Sequence, residues 1–402
     1  MGCSIYFVLI LQIQTTFLLI STYQTANAST KCSDRKAIFC YWASWAAYRP
    51  GNGHHNIKDI NPEHCSHVIF TFAGLDIKGE ITSLNPDVDL KGGFEDFIAL
   101  KNRDPCGCLK VILAIGGWGE GSEKYSLMAE SSLSRERFAD SVLRWLIFYG
   151  FDGIDIDWEY PTQRGGLKID RQNFIELLKV LKKKLAPRNR ILTAAVSGSL
   201  ETTKAAYDIG LMCNELDFIS IMGYDLHQTN VTSIHSALRA DNPDNSATIS
   251  STIEFYKKNG CHSEKLLLGV PAYGRTYILK DTRINKLGAT STGKGKEGPF
   301  TREKGFLGYN EIREMQKKNT GWQKAYSEKN AALYAFNGKL WMSYDDERTV
   351  KEKAEYVLSE KLGGMMLWSI DTDDFRGICS NRSYPLLRAI TKGLKWNSDG
   401  RN

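Results

Sequence analysis

Phe151-Asp-Gly-Ile-Asp-Ile-Asp-Trp-Glu-Tyr-Pro161 separates cleanly when read with a period of two. Asp155, Asp157 and Glu159 fall on one side, and Ile154, Ile156, Trp158 and Tyr160 on the other. A strand sends alternate side chains to opposite faces, whereas a helix would scatter them around its axis. The pattern therefore predicts a strand, with successive acids about 6.6 Å apart at roughly 3.3 Å per residue. Gly153 at its start and Pro161 at its end stand where a strand tolerates them. Three readings fit the acidic face: catalytic carboxylates, ligands for a hard divalent cation, or a solvated edge. The apolar opposite face weighs against the last.

Outward from this stretch, short apolar runs recur along the chain. They are Ala37–Tyr41, His67–Phe72, Lys110–Ile115, the acidic stretch itself, Ile191–Val196, Phe218–Met222, Leu266–Val270 and Gly364–Trp368. Between them, Arg135–Tyr149, Asp170–Leu185, Thr248–Asn259 and Thr349–Leu362 carry apolar residues at three- and four-residue steps, the helical pattern. Repeated strand–helix alternation predicts an α/β fold, a closed parallel (β/α)8 TIM barrel with helices outside. An open doubly wound sheet is the alternative. It calls for a glycine-rich phosphate loop after an early strand, and Gly116-Gly117-Trp118 is not such a loop.

One interval breaks the rhythm. Thr276–Tyr344 is rich in Gly, Lys and Thr and holds the aromatic pieces Ala332–Phe336 and Leu340–Met342. It reads as a small α+β insertion (276–344) between the seventh and eighth strands. The barrel then comprises 29–275 and 345–395, with a short tail at 396–402.

The 402 residues are 42% hydrophobic, enough for a large core, and the net charge of +6 is mixed in sign along the chain. So mild an excess gives no reason to expect a nucleic-acid partner. Lys182-Lys183-Lys184 reads as a solvated helix face. Residues 1–28 lack charged side chains, are apolar from Ile5 to Ile20 with polar interruptions, and end in Ala26-Asn27-Ala28. These features predict a secretory signal peptide cut after Ala28. A signal anchor is the alternative, although the interruptions leave less than the ~20 apolar residues a span needs. No membrane attachment is expected after cleavage, and the mature chain is expected to be an extracellular monomer. Of nine cysteines, cleavage removes Cys3 and leaves an even number, which suits disulfides in an oxidising compartment. Cys106-Gly-Cys108 has no second pair to complete a zinc site, and no cofactor or structural metal is expected. Asn230-Val-Thr232 and Asn381-Arg-Ser383 are glycosylation sequons.

In such a barrel the working residues sit at the C-terminal ends of strands. Those ends collect Tyr41 with Trp42 and Trp45, Phe72, Gly116-Gly117-Trp118, the three acids, Met222 with Tyr224 and Asp225, Tyr273 with Arg275, and Trp368. Any one of these aromatics could be plain core packing. Together, acids among aromatic rings suit a carbohydrate cleft, where rings stack on sugars and charged groups bind hydroxyls and amides. Ordinary glycosidases set two carboxyl groups on either side of the scissile bond. Here Asp157 and Glu159 share one face, so a single acid with a nucleophile supplied by the substrate fits better.

On these residues the chain resembles the secreted animal chitinases of the family 18 glycoside hydrolases. The family motif Asp-x-x-Asp-x-Asp-x-Glu stands complete as Asp152, Asp155, Asp157 and Glu159. Further matches are Cys40-Tyr-Trp with Trp45 and Tyr48-Arg-Pro50, Leu113–Trp118, Met222–Asp225, Gly269–Arg275 and Gly363–Asp374. The resemblance implies an endo-acting chitinase that hydrolyses β-1,4 links between N-acetylglucosamine units of chitin or chitooligosaccharides. It implies Glu159 as general acid, then base. The substrate acetamido oxygen attacks through an oxazolinium intermediate, assisted by Asp157, Asp155 and Tyr224. Tyr41, Phe72, Trp118, Met222, Asp225, Tyr273, Arg275 and Trp368 would line the cleft, and Asp152 is structural. Cys40 with Cys65 matches a family disulfide, and Cys213 with Cys261 is a candidate pair.

Two departures stand out. The family tends to have Gly and then Trp shortly after the position of His227, where this chain has Gln228-Thr229-Asn230, so one aromatic wall of the cleft is missing. Arg313 stands where the family tends to place the cysteine partner of Cys379. A chitin-binding lectin or secreted effector on the same fold is the alternative function. Such relatives commonly lose the acid equivalent to Glu159, which is present here.

Overall fold

Buried β-branched and aromatic runs can satisfy their backbone groups only by pairing with one another. In the computed structural model, which describes residues 35–227, 230–240 and 248–396, they do so as a closed ring. The members are β1 (Ala37–Ala43), β2 (His67–Leu75), β3 (Lys110–Gly116), β4 (Gly153–Asp157), β5 (Ile191–Ser197), β6 (Phe218–Met222), β7 (Leu266–Pro271) and β8 (Gly364–Trp368). All pair in parallel with their sequence neighbours, and β8 closes on β1 with Ala37 opposite Gly364. The fold is a (β/α)8 barrel. The expected leader at 1–28, Cys32 and residues 397–402 lie outside the described residues. Among the described residues no helix is long and apolar enough to cross a membrane.

The expected helices are present. Ser132–Tyr149 begins on a Ser131 capping box and ends at the left-handed Gly150. Asp170–Leu185 buries Phe174, Leu177, Leu178, Leu181 and Leu185 against the barrel wall. Each such side chain is worth about 1.5–3 kcal/mol of apolar burial. Its lysine run is a surface feature: Lys182 pairs with Asp217 at 2.6 Å, and Lys184 with Glu136 at 2.7 Å and Asp140 at 2.5 Å.

Asp152 lies just before β4. Its carboxylate accepts from the Val111 backbone N–H at 2.8 Å and from Lys101 at 2.7 Å, lacing the N-terminal end of the barrel. Asp217 does the same before β6, accepting from the Leu192 N–H at 2.9 Å.

A second, antiparallel sheet forms between Tyr273 and Tyr344, with Tyr273–Leu279 and Leu340–Tyr344 as central neighbours. Trp341 is fully buried in it between Tyr277 and Tyr334. Tyr273 and Arg275 thus belong to the first strand of this sheet, because the chain turns at Ala272, whose N–H donates to the Trp368 carbonyl at 2.7 Å.

Cys40–Cys65 and Cys213–Cys261 are disulfides, and Cys108 is disulfide-bonded as well. Cys106 and Cys379 are free thiols.

Candidate active site

The acidic face points into the barrel. Asp155 sits opposite Thr193 in the register between β4 and β5, and Asp157 opposite Gly116 of β3. Regular pairing ends at Asp157, so Glu159 stands beyond the strand on the loop above it. The expected strand is therefore shorter than the acidic pattern, because β3 turns away at Gly116-Gly117. The Gly117 N–H donates to the Asp157 carbonyl at 2.8 Å. A side chain cannot be added here. A Cβ on Gly116 would lie 2.2 Å from that carbonyl oxygen, and one on Gly117 2.5 Å from the Phe72 ring, both at positive φ.

The three carboxyl groups form a graded column. Asp155, at the bottom, is fully buried. Its Oδ2 accepts from the Tyr41 hydroxyl at 2.9 Å and its Oδ1 from the Thr193 hydroxyl at 2.5 Å. Burial pushes its pKa up to about 6 against the pull of those two donors. Asp157 lies above it, and its Oδ1 is buried with no hydrogen-bond partner among the described residues. Burial, then the charges of Glu159 and Asp155, raise its pKa well above the ordinary range. Glu159 is at the rim. Burial raises it to about 7, and a hydrogen bond with Tyr160 and the charge of Arg164 hold it from rising further. Among the described residues no group of three or more His, Cys, Asp or Glu side chains could hold a metal ion.

Across the column stand Tyr224 and Asp225. The Tyr224 hydroxyl is buried, with the Met366 sulfur at 3.8 Å as a weak partner. Asp225, at a φ of 57°, is committed elsewhere. Arg275 grips it through two N–H groups at 2.6 and 2.5 Å, and the Tyr273 hydroxyl donates at 2.8 Å. Burial opposes its charge, yet the Arg275 and His235 contacts hold its carboxyl well below the usual range. Met222 is buried beside Tyr224 in the barrel interior.

The aromatic residues gather around Trp368. Its ring centre is 5.8 Å from Tyr41, 5.7 Å from Phe72 and 6.2 Å from Trp45, and Phe72 in turn stacks on Trp45 at 6.0 Å. Trp118 lies at the entrance, 61% exposed, with the Arg164 guanidinium 3.6 Å above its ring centre. The peptide bonds Thr71–Phe72, Glu159–Tyr160 and Trp368–Ser369 are cis. An acid column beside an aromatic floor, open at one end, can hold a sugar ring flat and deliver a proton to its edge.

The model of the glycosyl hydrolases family 18 matches residues 37–373. Probable chitinase 2 of Drosophila melanogaster is 37% identical over 95% of this chain and 86% of its own length. The chain belongs to family 18 of the glycosyl hydrolases. Among solved family structures, the Ostrinia furnacalis Group IV chitinase in complex with allosamidin is 36% identical with a TM-score of 0.87, over 90% of this chain and 99% of its own. Human YKL-39, described as a pseudo-chitinase with retained chitooligosaccharide binding properties, is 29% identical with a TM-score of 0.82, over 90% of this chain and 100% of its own.

Of the residues expected in the cleft, Tyr41, Met222, Tyr224 and Tyr273 share one buried cluster with Phe72 and Trp368 packed against it, while Trp118 is exposed and Arg275 lies on the second sheet. Several groups that complete the site escape a reading of the sequence. Thr193 holds Asp155, and Ser220 lies 3.3 Å from the Tyr41 hydroxyl. Both sit on interior positions of their strands, so period-two reading of β5 and β6 as barrel staves could have flagged them. His235, 3.4 Å from Asp225, and Arg164 come from loops, where no periodicity points to them. Asn230 and Asn381 are both exposed.

Proposed function

We propose that this glycoside hydrolase is a secreted chitinase, with residues 1–28 as its signal peptide. It cleaves β-1,4-linked N-acetylglucosamine oligomers internally, with retention of configuration. The reading is carried by the buried Glu159–Asp157–Asp155 column together with the capture of Asp225 by Arg275. Asp225, which faces the column, is already held by Arg275 and Tyr273, which favours a nucleophile supplied by the substrate.

Glu159, protonated up to about pH 7, gives its proton to the glycosidic oxygen as the bond from that oxygen to the anomeric carbon breaks. The substrate's acetamido oxygen attacks that carbon from the opposite face, forming an oxazolinium ion. Asp157 accepts a hydrogen bond from the acetamido N–H and balances its positive charge. Asp155 and Asp157 share a proton, since close buried carboxylates resist joint ionisation. Tyr224, whose hydroxyl has only the weak Met366 sulfur as partner, donates to the acetamido oxygen. Water then attacks the anomeric carbon as that carbon's bond to the acetamido oxygen breaks, and loses a proton to the Glu159 carboxylate, which restores the acetamido group and resets the site.

Trp368, with Tyr41 and Phe72, makes the floor for the reacting sugar, and Trp118 a platform for the next one. The partner is chitin or a chitooligosaccharide, and the protein acts as a monomer without a cofactor. Hydrolysis of a labelled chitooligosaccharide tests the assignment. Glu159→Gln is expected to lose on the order of 10²–10⁴-fold in kcat, the usual worth of a general acid. Equal turnover by wild type and variant overturns it. The chitin-binding alternative predicts that equality from the start, with binding but no turnover.

A further inference from the structure

The sequon residue Asn230 lies against the edge of the second sheet. It lines a cavity of about 210 Å³ together with Arg275, Thr276, Ser291, Lys294 and Gly305. Arg275 is the residue that grips Asp225, so this cavity adjoins the proposed catalytic site. It is smaller than the ~300–1,000 Å³ of a self-sufficient ligand site, and suits one part of a longer ligand.

Two further observations give it a chemistry. Its lining is polar: Ser291 carries a hydroxyl and Lys294 an ammonium, groups that bind sugar hydroxyls. The sequon backbone is also held firmly. The Asn230 carbonyl accepts from Ser291 N–H at 2.9 Å and from its hydroxyl at 3.0 Å. The Thr232 hydroxyl donates to the Lys286 carbonyl at 2.8 Å and accepts from the Ala289 N–H at 3.0 Å. Asn230 itself stays exposed. Thus the position from which a glycan would grow is fixed against the second sheet, at the mouth of a sugar-compatible cavity.

We propose that Asn230 is N-glycosylated and that the first sugars of its glycan occupy this cavity, shortening the cleft for long substrates. This inference rests on the chitinase reading. In the modification, the Asn230 amide nitrogen attacks the anomeric carbon of an oligosaccharide carried on a polyprenyl pyrophosphate. A new C–N bond forms, the pyrophosphate lipid leaves and the nitrogen loses one proton. The transfer acts on the extended chain, so the later burial of Thr232 is no obstacle. An N-linked glycan opens with two β-1,4-linked N-acetylglucosamine units, the same chemistry as the proposed substrate. Attached through a short tether, they reach an effective concentration of about millimolar, and need only weak affinity to displace the outer sugars of a chain.

Glycopeptide mass spectrometry of the protein secreted from a eukaryotic host reads occupancy. Titration calorimetry then compares N-acetylglucosamine tri- and hexasaccharides, all in a Glu159→Gln background so that the result does not depend on turnover. The glycosylated form, the enzymatically deglycosylated form and Asn230→Gln are measured. Asn230 is expected to be occupied. Loss of its glycan by either route should tighten hexasaccharide binding by about threefold or more, as expected when an overlapping competitor leaves. Trisaccharide binding should stay constant, and Asn381→Gln should change neither. An unoccupied Asn230, or a hexasaccharide affinity indifferent to its glycan, overturns the proposal. A wild type that binds oligomers but never cleaves them overturns the chitinase reading instead.

Discussion

The Arg164 guanidinium lies over one face of the Trp118 ring at 3.6 Å. The same guanidinium donates to the Glu159 backbone oxygen at 3.0 Å. One cation therefore holds a proposed sugar platform and the backbone of the proposed acid together. Such a contact is worth about 0.5–1 kcal/mol at an exposed site.

Removing it should separate two effects. The Arg164 charge lowers the Glu159 pKa, so Arg164→Ala raises it, and the basic limb of the kcat/KM profile moves to higher pH. Loss of the stacked cation should also raise KM for oligomers. Arg164→Lys keeps the charge and should restore the limb more fully than the KM. A pH–rate profile of the three proteins checks this; an unmoved limb in Arg164→Ala removes Arg164 from the electrostatics of Glu159.

In the wild type, the acid form of Glu159 persists up to about pH 7. Its deprotonation should make kcat/KM fall as pH rises through that value. A rate that stays flat to pH 9 on a soluble chitooligosaccharide would contradict Glu159 as the acid.

The same raised carboxyl has a cost in stability. Glu159 titrates at about 7 folded against an ordinary value of 4.5. The folded state binds this proton more tightly, so its contribution is present at pH below 4.5 and is lost as pH rises through about 7. Glu159→Gln escapes that loss. Its Tm relative to wild type should be higher at pH 8 than at pH 5. Comparing the difference cancels the opposing effect of buried His55 and His67, whose pKa values burial depresses to about 4 and about 3. A pH-independent Tm difference in scanning calorimetry would refute the linkage.

Lys353 is a second buried charge, outside the cleft. Its ammonium is fully buried and donates to both Asp345 oxygens at 2.8 and 2.6 Å and to the Ser236 carbonyl at 2.7 Å. It ties the loop after β6, which also carries Asp225 and His235, to the helix Glu347–Ser359. Lys353→Met leaves Asp345 unpaired and should destabilise the fold by about 3–5 kcal/mol. Denaturant unfolding reads the change directly, and a loss below about 1 kcal/mol would mean that water reaches Asp345.

Much of this was legible because barrel staves are short, buried and periodic. Ile191–Val196 and Phe218–Met222 could be placed within a residue of β5 and β6, since a buried strand has few other ways to satisfy its backbone. The acids were legible because three carboxylates on an otherwise apolar stave have no structural excuse. Their support was not. Thr193 meets Asp155 only through the register between two strands, and Arg164 meets Trp118 only because two loops converge. Nothing local to either residue encodes its partner. The end of β4 was hidden for the same reason: alternation continues through Glu159, but pairing stops where Gly116 and Gly117 bend β3 away.

Arg275 grows from the second sheet, and Asp225 from a barrel loop, so their bidentate pair is one stitch in a seam that backbone bonds such as Ser291 N–H to the Asn230 carbonyl also close. With side chains 18% and 27% exposed, that pair is screened by salt less than a fully exposed one. Any exchange of strands in the second sheet must therefore carry Arg275 and the Ser291 edge with it to keep the chemistry below aligned.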